Sequence, residues 1–286
     1  MHYKYSLENG VTKIRSKLRA IKLMTALSAT GVVAAAALPI AASAAGSQVV
    51  VTPTNTQGWS TADTRTGGAV NFVADSTAPG SPHTGALQLT TDATTTSKAQ
   101  YLHDANTPLA NVTDLSYSTK QNSASFAEGD ASYQIPVELN GSSGFSTLVY
   151  EPYQNPTQGT VTPGVWQQWD VDQGLFWSSR TVTCSNGTIV GTAGGPATYT
   201  LAQINSICPD AVAVGFGVNV GSNNPGYDVE ADLVNFNGTT YNFEPFQTPS
   251  DKDACKKDGY KTLTDQNGQP FRNQGQCVSW TNGRGQ

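Results

Sequence analysis

"AVAVGFGVNVG", residues 211–221, decides how the rest of the chain is read. Side chains alternate between the two faces of a strand. Val212, Val214, Phe216, Val218 and Val220 therefore share one face, and Ala211, Ala213, Gly215 and Gly217 share the other. The first face predicts packed core. The second is nearly bare of side chains, so it lets something approach the sheet closely or leaves a shallow groove.

The same period-two pattern recurs from residue 47 to residue 246, in short segments separated by Gly, Pro, Asn and Ser clusters, as expected of an all-β sandwich. "ALQLTTD" puts Leu87 and Leu89 on one face, and "LSYST" does the same with Leu115 and Tyr117. "YQIPVELN" aligns Tyr133, Ile135, Val137 and Leu139, while Pro136, which has no N–H, predicts a marginal strand or a bulge. Asn140-Gly141 and Asn237-Gly238 each stand between two such runs and predict tight hairpins, because Asn-Gly tolerates positive φ. The remaining strong signal is helical. In "TLAQINSICPDA", Leu201, Ile204 and Ile207 have helical spacing, Thr200 can cap the start and Pro209 stops the run.

The first 44 residues stand apart. Six basic residues, from Lys4 to Lys22, precede an apolar run from Leu23 to Leu38, and Ala42-Ser43-Ala44 supplies the small-x-small pattern of a signal-peptidase site. Residues 1–44 are thus expected to be a signal peptide cleaved after Ala44. The run is shorter than the roughly 20 apolar residues of a spanning helix, so no stable membrane insertion is expected after cleavage. The leader takes six of the 16 basic residues and one of the 21 acids, Glu8, which leaves ten against twenty and a formal charge of −10. A surface so acidic repels a phosphate backbone, and nucleic acid is excluded as a partner. Low charge density with abundant Thr, Ser, Asn, Gln and Gly suits neutral polar partners.

The cysteines fall into two local couples, Cys184 with Cys208 and Cys255 with Cys277. An oxidising compartment makes disulfides the default, and three pairings exist in principle. The local pairing is favoured because each couple lies within one structural unit. Each bridge would close a loop worth roughly 3 kcal/mol of chain entropy. Zinc is disfavoured: neither couple has C-x-x-C spacing, and His83 and His103 are distant in sequence. From residue 247 the composition turns polar and charged. Residues 247–254 read as a linker and 255–286 as a small tail, a disulfide-stapled hairpin turned at Asn267-Gly268.

The chemistry-bearing candidates are few. "GYDVEADLVNFNGTTYNFE", residues 226–244, sets Asp228, Glu230 and Asp232 at alternate positions. Antiparallel alternation predicts Tyr227, Val229, Ala231 and Leu233 in the core and the acids in water. A structural calcium is the chemical alternative, with Asp228 or Asp232 joined by Asp75 or Asp92, since hard cations gather carboxylate and carbonyl oxygens. A catalytic carboxylate pair is a further alternative, since residues two apart on a strand are separated by about 6.5 to 7 Å, within reach of glycosidase spacings. Val234 and Phe236 continue the acidic face, so the strand must be covered there or shifted by a bulge. "VWQQWDVDQGLFW" supplies Trp166, Trp169 and Trp177 with Gln168 and Asp170. Trp169 shares a face with Val165 and Val171, which leaves Trp166 as the better platform for the apolar face of a sugar. Tyr153 is a further aromatic candidate. No G-x-S-x-G elbow occurs, His103 and Asp104 point to opposite faces, and "GTAGGP" lacks a phosphate-loop Lys-Ser/Thr. Catalytic residues are therefore not expected.

"GWSTADTRTGGAVNFV", "GALQLTTD", "GVWQQWDV", "YTLAQINSICPDAVAVGFGVNVG" and "VNFNGTTYNFE" together resemble the jelly-roll, lectin-like or carbohydrate-binding-module-like β-sandwich domains of secreted bacterial proteins. The resemblance implies an antiparallel jelly-roll sandwich over 45–246 and a non-enzymatic glycan binder, secreted or at the cell surface. It implies an extracellular or cell-wall glycan as partner, no required cofactor, and often a structural calcium. The rival expectations are a polysaccharide-cleaving glycoside hydrolase and a structural envelope or adhesin component. The tail resembles a short C-terminal motif of secreted bacterial proteins, carried by Cys255, Lys256, Gly259, Tyr260, Phe271, Asn273, Gln274, Gly275, Cys277 and Val278. That resemblance implies a Cys255–Cys277 bridge.

Overall fold

The computed structural model describes residues 46–80, 85–191, 195–266 and 268–283. The expected leader, His83 and Asn267 lie outside them. The strands in chain order are β1 (Ser47–Val51), β2 (Trp59–Ser60), β3 (Gly68–Ala74), β4 (Gly85–Thr91), β5 (Ala99–Pro108), β6 (Ser116–Ser123), β7 (Ser132–Glu138) and β8 (Phe145–Tyr150). They continue as β9 (Gln167–Asp170), β10 (Trp177–Ser178), β11 (Val182–Thr183), β12 (Ile189–Val190), β13 (Val212–Val220), β14 (Asp228–Phe236) and β15 (Thr239–Phe243). Helix α1 spans Leu201–Ile207 and α2 spans Gln274–Gly283. Among the described residues, no helix is long and apolar enough to cross a membrane.

Two sheets form the sandwich. One has six strands in the order β10-β8-β7-β13-β5-β2. The other has seven, with β14 joined on one edge to β6 and β9, and on the other to β4-β3 and β15-β1. All of these pairings are antiparallel except β1 with β15, where the first strand runs parallel to the last. Leu87, Leu89, Leu115, Tyr117, Tyr133, Ile135, Val137 and Leu139 are all buried in the shared core, as the alternation required. The Asn140-Gly141 turn joins β7 to β8, and Asn237-Gly238 joins β14 to β15 with both residues at positive φ. Helix α1 begins with a capping box, in which the Thr200 hydroxyl accepts from the Gln203 N–H and the Gln203 side chain accepts from the Thr200 N–H. Both local cysteine couples are bonded.

Four expectations are corrected. Strand β7, with Pro136, lies inside its sheet between β8 and β13 and not at a margin; the proline is accommodated where the β13 ladder is irregular between Ala213 and Gly217. The β13 face also breaks. The register against β5 shifts between Ala213 and Gly215, so Ala213, Phe216, Val218 and Val220 point into the core, whereas Val214 turns outward. The acids of β14 are not a wet face. Glu230 is 7% exposed and Asp232 0%, because the cross-strand side chains of Lys120 and Asn122 close over Glu230 while Gly80 and β15 enclose Asp232. The tail is not a simple hairpin. Thr264 and Pro270 do bridge, but the chain then forms α2, begun by Asn273, whose side chain accepts from the Gln276 N–H at 2.9 Å. The helix brings Cys277 to Cys255 and Trp280 against Phe271, making a small core of its own.

The change of face after Asp232 has a topological cause. Asp228 to Ala231 pair with β4, and Val234 to Phe236 pair with β15 along the same edge. Between them Leu233 adopts φ +50°, and the ladder to β6 shifts register between Asp232 and Asn235. This is the bulge that the apolar pattern demanded. The strand forks the sheet, and the Asp232 carboxylate sits at the fork, accepting from the N–H groups of Phe243 and Gly80.

Candidate functional site

A strand whose inner side chains are fixed in the core presents its alternate side chains outward. Across the six-stranded sheet these outward residues are Gln100 and Leu102 of β5, Gln134 of β7, Thr147 of β8, Trp177 of β10 and Asn219 of β13. They line an open groove of about 810 Å³ that runs over the sheet. Its floor is low because Val214 and Gly215 form it at the β13 bulge, where a Cβ on Gly215 would stand 3.1 Å from the His103 carbonyl. Of the bare face read from the sequence, Gly215 lies on this floor, whereas Ala211 and Ala213 are core because the β13 register shifts between Ala213 and Gly215.

The two ends differ in chemistry. At the β5 end Lys98 pairs with Asp63 at 2.5 Å, and Arg65 donates to the Ser222 hydroxyl at 3.0 Å. The bond from Lys98 holds the Asp63 carboxyl below the usual range, outweighing the opposing effect of burial. In the middle, the Asn219 amide donates to Gln100 at 3.1 Å, and the Gln100 amide donates to the Ala62 carbonyl at 3.0 Å. These amides are locked in orientation. At the β8–β10 end the walls are aromatic: Trp177, Tyr153, and Phe145 with the Arg180 guanidinium 5.3 Å from its ring centre. The Trp177 indole N–H donates to Glu151 Oε2 at 2.7 Å, and Gln154 donates to the same oxygen at 2.6 Å. Gln154 also donates to the Tyr153 hydroxyl. One carboxylate thus sets the aromatic wall, and burial pushes its pKa up.

The structure divides the five expected ligand-binding residues. Trp177 and Tyr153 line the groove. Trp166, Gln168 and Asp170 belong to the other sheet, where β9 pairs with β6 at the margin. Trp169 is core, as parity required, and donates to the Thr119 hydroxyl. Trp166 is half-buried and employed there: its N–H donates to Asp75 at 3.0 Å, and Lys120 Nζ lies 5.4 Å from its ring centre. Asp170 is pushed up to about 6 by its bond with Asp172.

The three carboxylates expected to share calcium do not form one centre. Asp75 bonds Lys120, Thr77 and Trp166, and these partners hold its pKa well down against the opposing effect of burial. Asp228 accepts from Gln88 and Asn122. Asp232 accepts from backbone N–H groups at the fork. Asp92 is taken by its own turn, through Thr94. Among the described residues, no group of three His, Cys, Asp or Glu side chains converges on a metal position. Glu230, the residue of the catalytic alternative, bonds Lys120 at 3.0 Å and Asn122 at 2.8 Å on the sheet remote from the groove. The His103 ring lies between two backbone carbonyls, with Nδ1 2.6 Å from that of Asp104 and Nε2 3.0 Å from that of Gln57.

Sequence reasoning missed Gln100, Gln134, Asn219 and Glu151. A signal existed for the first three. Gln134 and Asn219 are the complementary parity of strands whose core face was already identified, and Gln100 alternates in the same way with Ala99 and Tyr101 on β5, a strand whose faces were not assigned.

The sequence matches no protein-family model and no curated protein. Among solved structures, the chain is similar to the family 11 carbohydrate-binding module of Clostridium thermocellum bound to a β-1,3-1,4-mixed-linked tetrasaccharide, at TM-score 0.33 and 11% identity over 60% of this chain and 85% of that one. It is similar to the same family's module from the cellulosomal cellulase Lic26A-Cel5E, at TM-score 0.32 and 10% identity over 65% and 89%. It is also similar to an arabinose-bound α-L-arabinofuranosidase, at TM-score 0.34 and 10% identity over 65% of this chain and 23% of that one. The chain therefore spans under a quarter of that enzyme's length.

Proposed function

We propose that this protein is an exported, non-cleaving glycan-binding module that holds a polysaccharide chain in the groove of the six-stranded sheet. One observation carries the reading: an open groove with oriented amides in its middle ends against an indole held by a carboxylate. Sugars need this combination. Their C–H faces stack on aromatic rings, and their hydroxyls demand fixed donors and acceptors, which cost little entropy on binding when they are already locked. The groove is open along the sheet, which suits an extended chain. The expected leader, the two disulfides and the low charge of the body fit a role outside the cell, free or at its surface.

The test is affinity electrophoresis of the purified protein through gels containing a panel of soluble β- and α-linked polysaccharides, alongside a reducing-sugar assay. Retardation by at least one polymer, weakened in Trp177→Ala and unaccompanied by sugar release, supports the reading. A protein unretarded by every polymer refutes it, and sugar release refutes its non-cleaving part.

A further inference from the structure

Beside the aromatic end of the groove lies a smaller pocket of about 200 Å³. It shares Asp130, Glu151, Tyr153 and Asn224 with the groove and adds Phe126 and Tyr227. We infer that this side pocket takes a positively charged nitrogen, the free amino group of an amino sugar within the bound chain. The inference rests on the groove reading, and it names the class of glycan.

Two features of the pocket point to a cation. The first is its walls. Phe126 is 45% exposed and Tyr153 38%, and their rings meet edge to face at 5.3 Å. An exposed pair of rings in a recess offers π faces to a cation, an attraction that strengthens where water is excluded. The second is the charge set against those walls. Asp130 and Glu151 both reach the pocket, and among the described residues no Lys, Arg or His lines it. The partners of Asp130 are the Thr119 hydroxyl at 2.6 Å and the Ala131 N–H at 2.8 Å. Those of Glu151 Oε2 are the Trp177 and Gln154 N–H groups. None of these is a cation.

The electrostatics agree with the geometry. Burial pushes the Asp130 carboxyl up to about 7, and the hydrogen bonds from Thr119 and Ala131 only partly oppose it. Burial likewise raises Glu151. Tyr117, Tyr153 and Tyr227 beside these acids are neutral near pH 7, and the cations of the adjoining groove are engaged elsewhere, Lys98 with Asp63, Arg65 with Ser222 and Arg180 over the Phe145 ring. A bound ammonium would supply positive charge, favouring the ionised carboxylate. An N-acetylated or hydroxyl-bearing sugar brings no charge and leaves the acids as they are. Binding of an amine at acidic pH must then expel a proton from Asp130.

Isothermal titration of the purified protein at pH 5, in buffers of different ionisation enthalpy, tests this with three probes: the tetramer of glucosamine, the tetramer of N-acetylglucosamine and cellotetraose. The expected result is that the glucosamine tetramer binds about tenfold more tightly than the other two and releases about one proton. Asp130→Asn should abolish the proton release. Phe126→Ala should lower the preference for the amine over the neutral probes. Equal affinity for all three probes overturns the inference and leaves the groove reading standing. No binding of any probe by a protein that a polysaccharide retards in the gel also overturns the inference and leaves the groove reading standing, whereas no binding of any probe together with no retardation by any polymer overturns both. Spermidine binding as tightly as the glucosamine tetramer, with the same proton release, overturns the assignment to a sugar.

Discussion

The indole N–H of Trp177 donates to Glu151 Oε2 at 2.7 Å, and this bond ties strand β10 to the turn that follows β8. A tryptophan held by a buried acceptor has little rotamer freedom left to lose when a ligand stacks on it. The aromatic wall of the groove is therefore set before any ligand arrives.

The two faces of the sandwich should separate cleanly by mutation. Trp177→Ala is expected to weaken polysaccharide binding by about tenfold or more, as truncation of a central aromatic anchor does. Trp166→Ala, on the other sheet, should leave affinity unchanged. Titration calorimetry with any retarding polysaccharide checks both, and equal losses in the two variants would contradict the placement of the site.

Lys120 stands between Asp75 and Glu230, and all three side chains are largely buried. Removing the shared cation leaves two buried carboxylates facing each other. Lys120→Met should then cost about 3 to 5 kcal/mol of unfolding free energy, measured by urea denaturation. Because the cluster lies on the outer face of the seven-stranded sheet, away from the groove, the surviving folded protein should bind glycan as the wild type does.

Burial raises Asp232 from 3.8 to about 7, with the nearby Glu244 carboxylate adding to the effect and the N–H groups of Phe243, Leu233 and Gly80 opposing it. Between those two values the folded state binds a proton that the unfolded chain does not. Stability is therefore highest below the unfolded value and falls as pH rises towards 7, by about 1.4 kcal/mol per pH unit for each such group. Asp130, raised to about 7 by burial, acts in the same sense. Denaturant unfolding at pH 4.5 and pH 7.5 should show this loss, with a shallower slope in Asp232→Asn. An unaltered slope in that variant would remove Asp232 as the cause.

Gly217 has φ +155°, and a Cβ there would run into the carbonyl oxygen of Tyr101 on the paired strand. Gly217→Ala is expected to destabilise the protein by about 1 to 3 kcal/mol, read as a lower midpoint of thermal unfolding. A variant as stable as the wild type would show that β13 relaxes more readily than its packing implies.

How much of this was legible in the chain varies with the range of the interaction. Period-two alternation is a local property, so the sandwich, its core residues and the Asn-Gly hairpins could be read from residues such as Ile135, Val218 and Asn237. Helix α1 was likewise legible, since capping and stop signals act within one turn. Gly215 of the face read as bare lies on the groove floor, and the apolar residues after Asp232 announced a bulge.

What the tertiary structure decided was which side chains meet. Parity assigns Trp166 to a surface, but only the pairing of β9 with β6 and of β10 with β8 places it and Trp177 on different sheets. The alternating acids of β14 looked solvated because their cover, Lys120 and Gly80, comes from distant segments. The site at Glu151, Asp130 and Tyr153 is assembled from turns separated by whole strands. A sequence sets each strand's two faces through the geometry of its backbone. Strand order and register choose the neighbour of each face, and those are fixed by long-range packing.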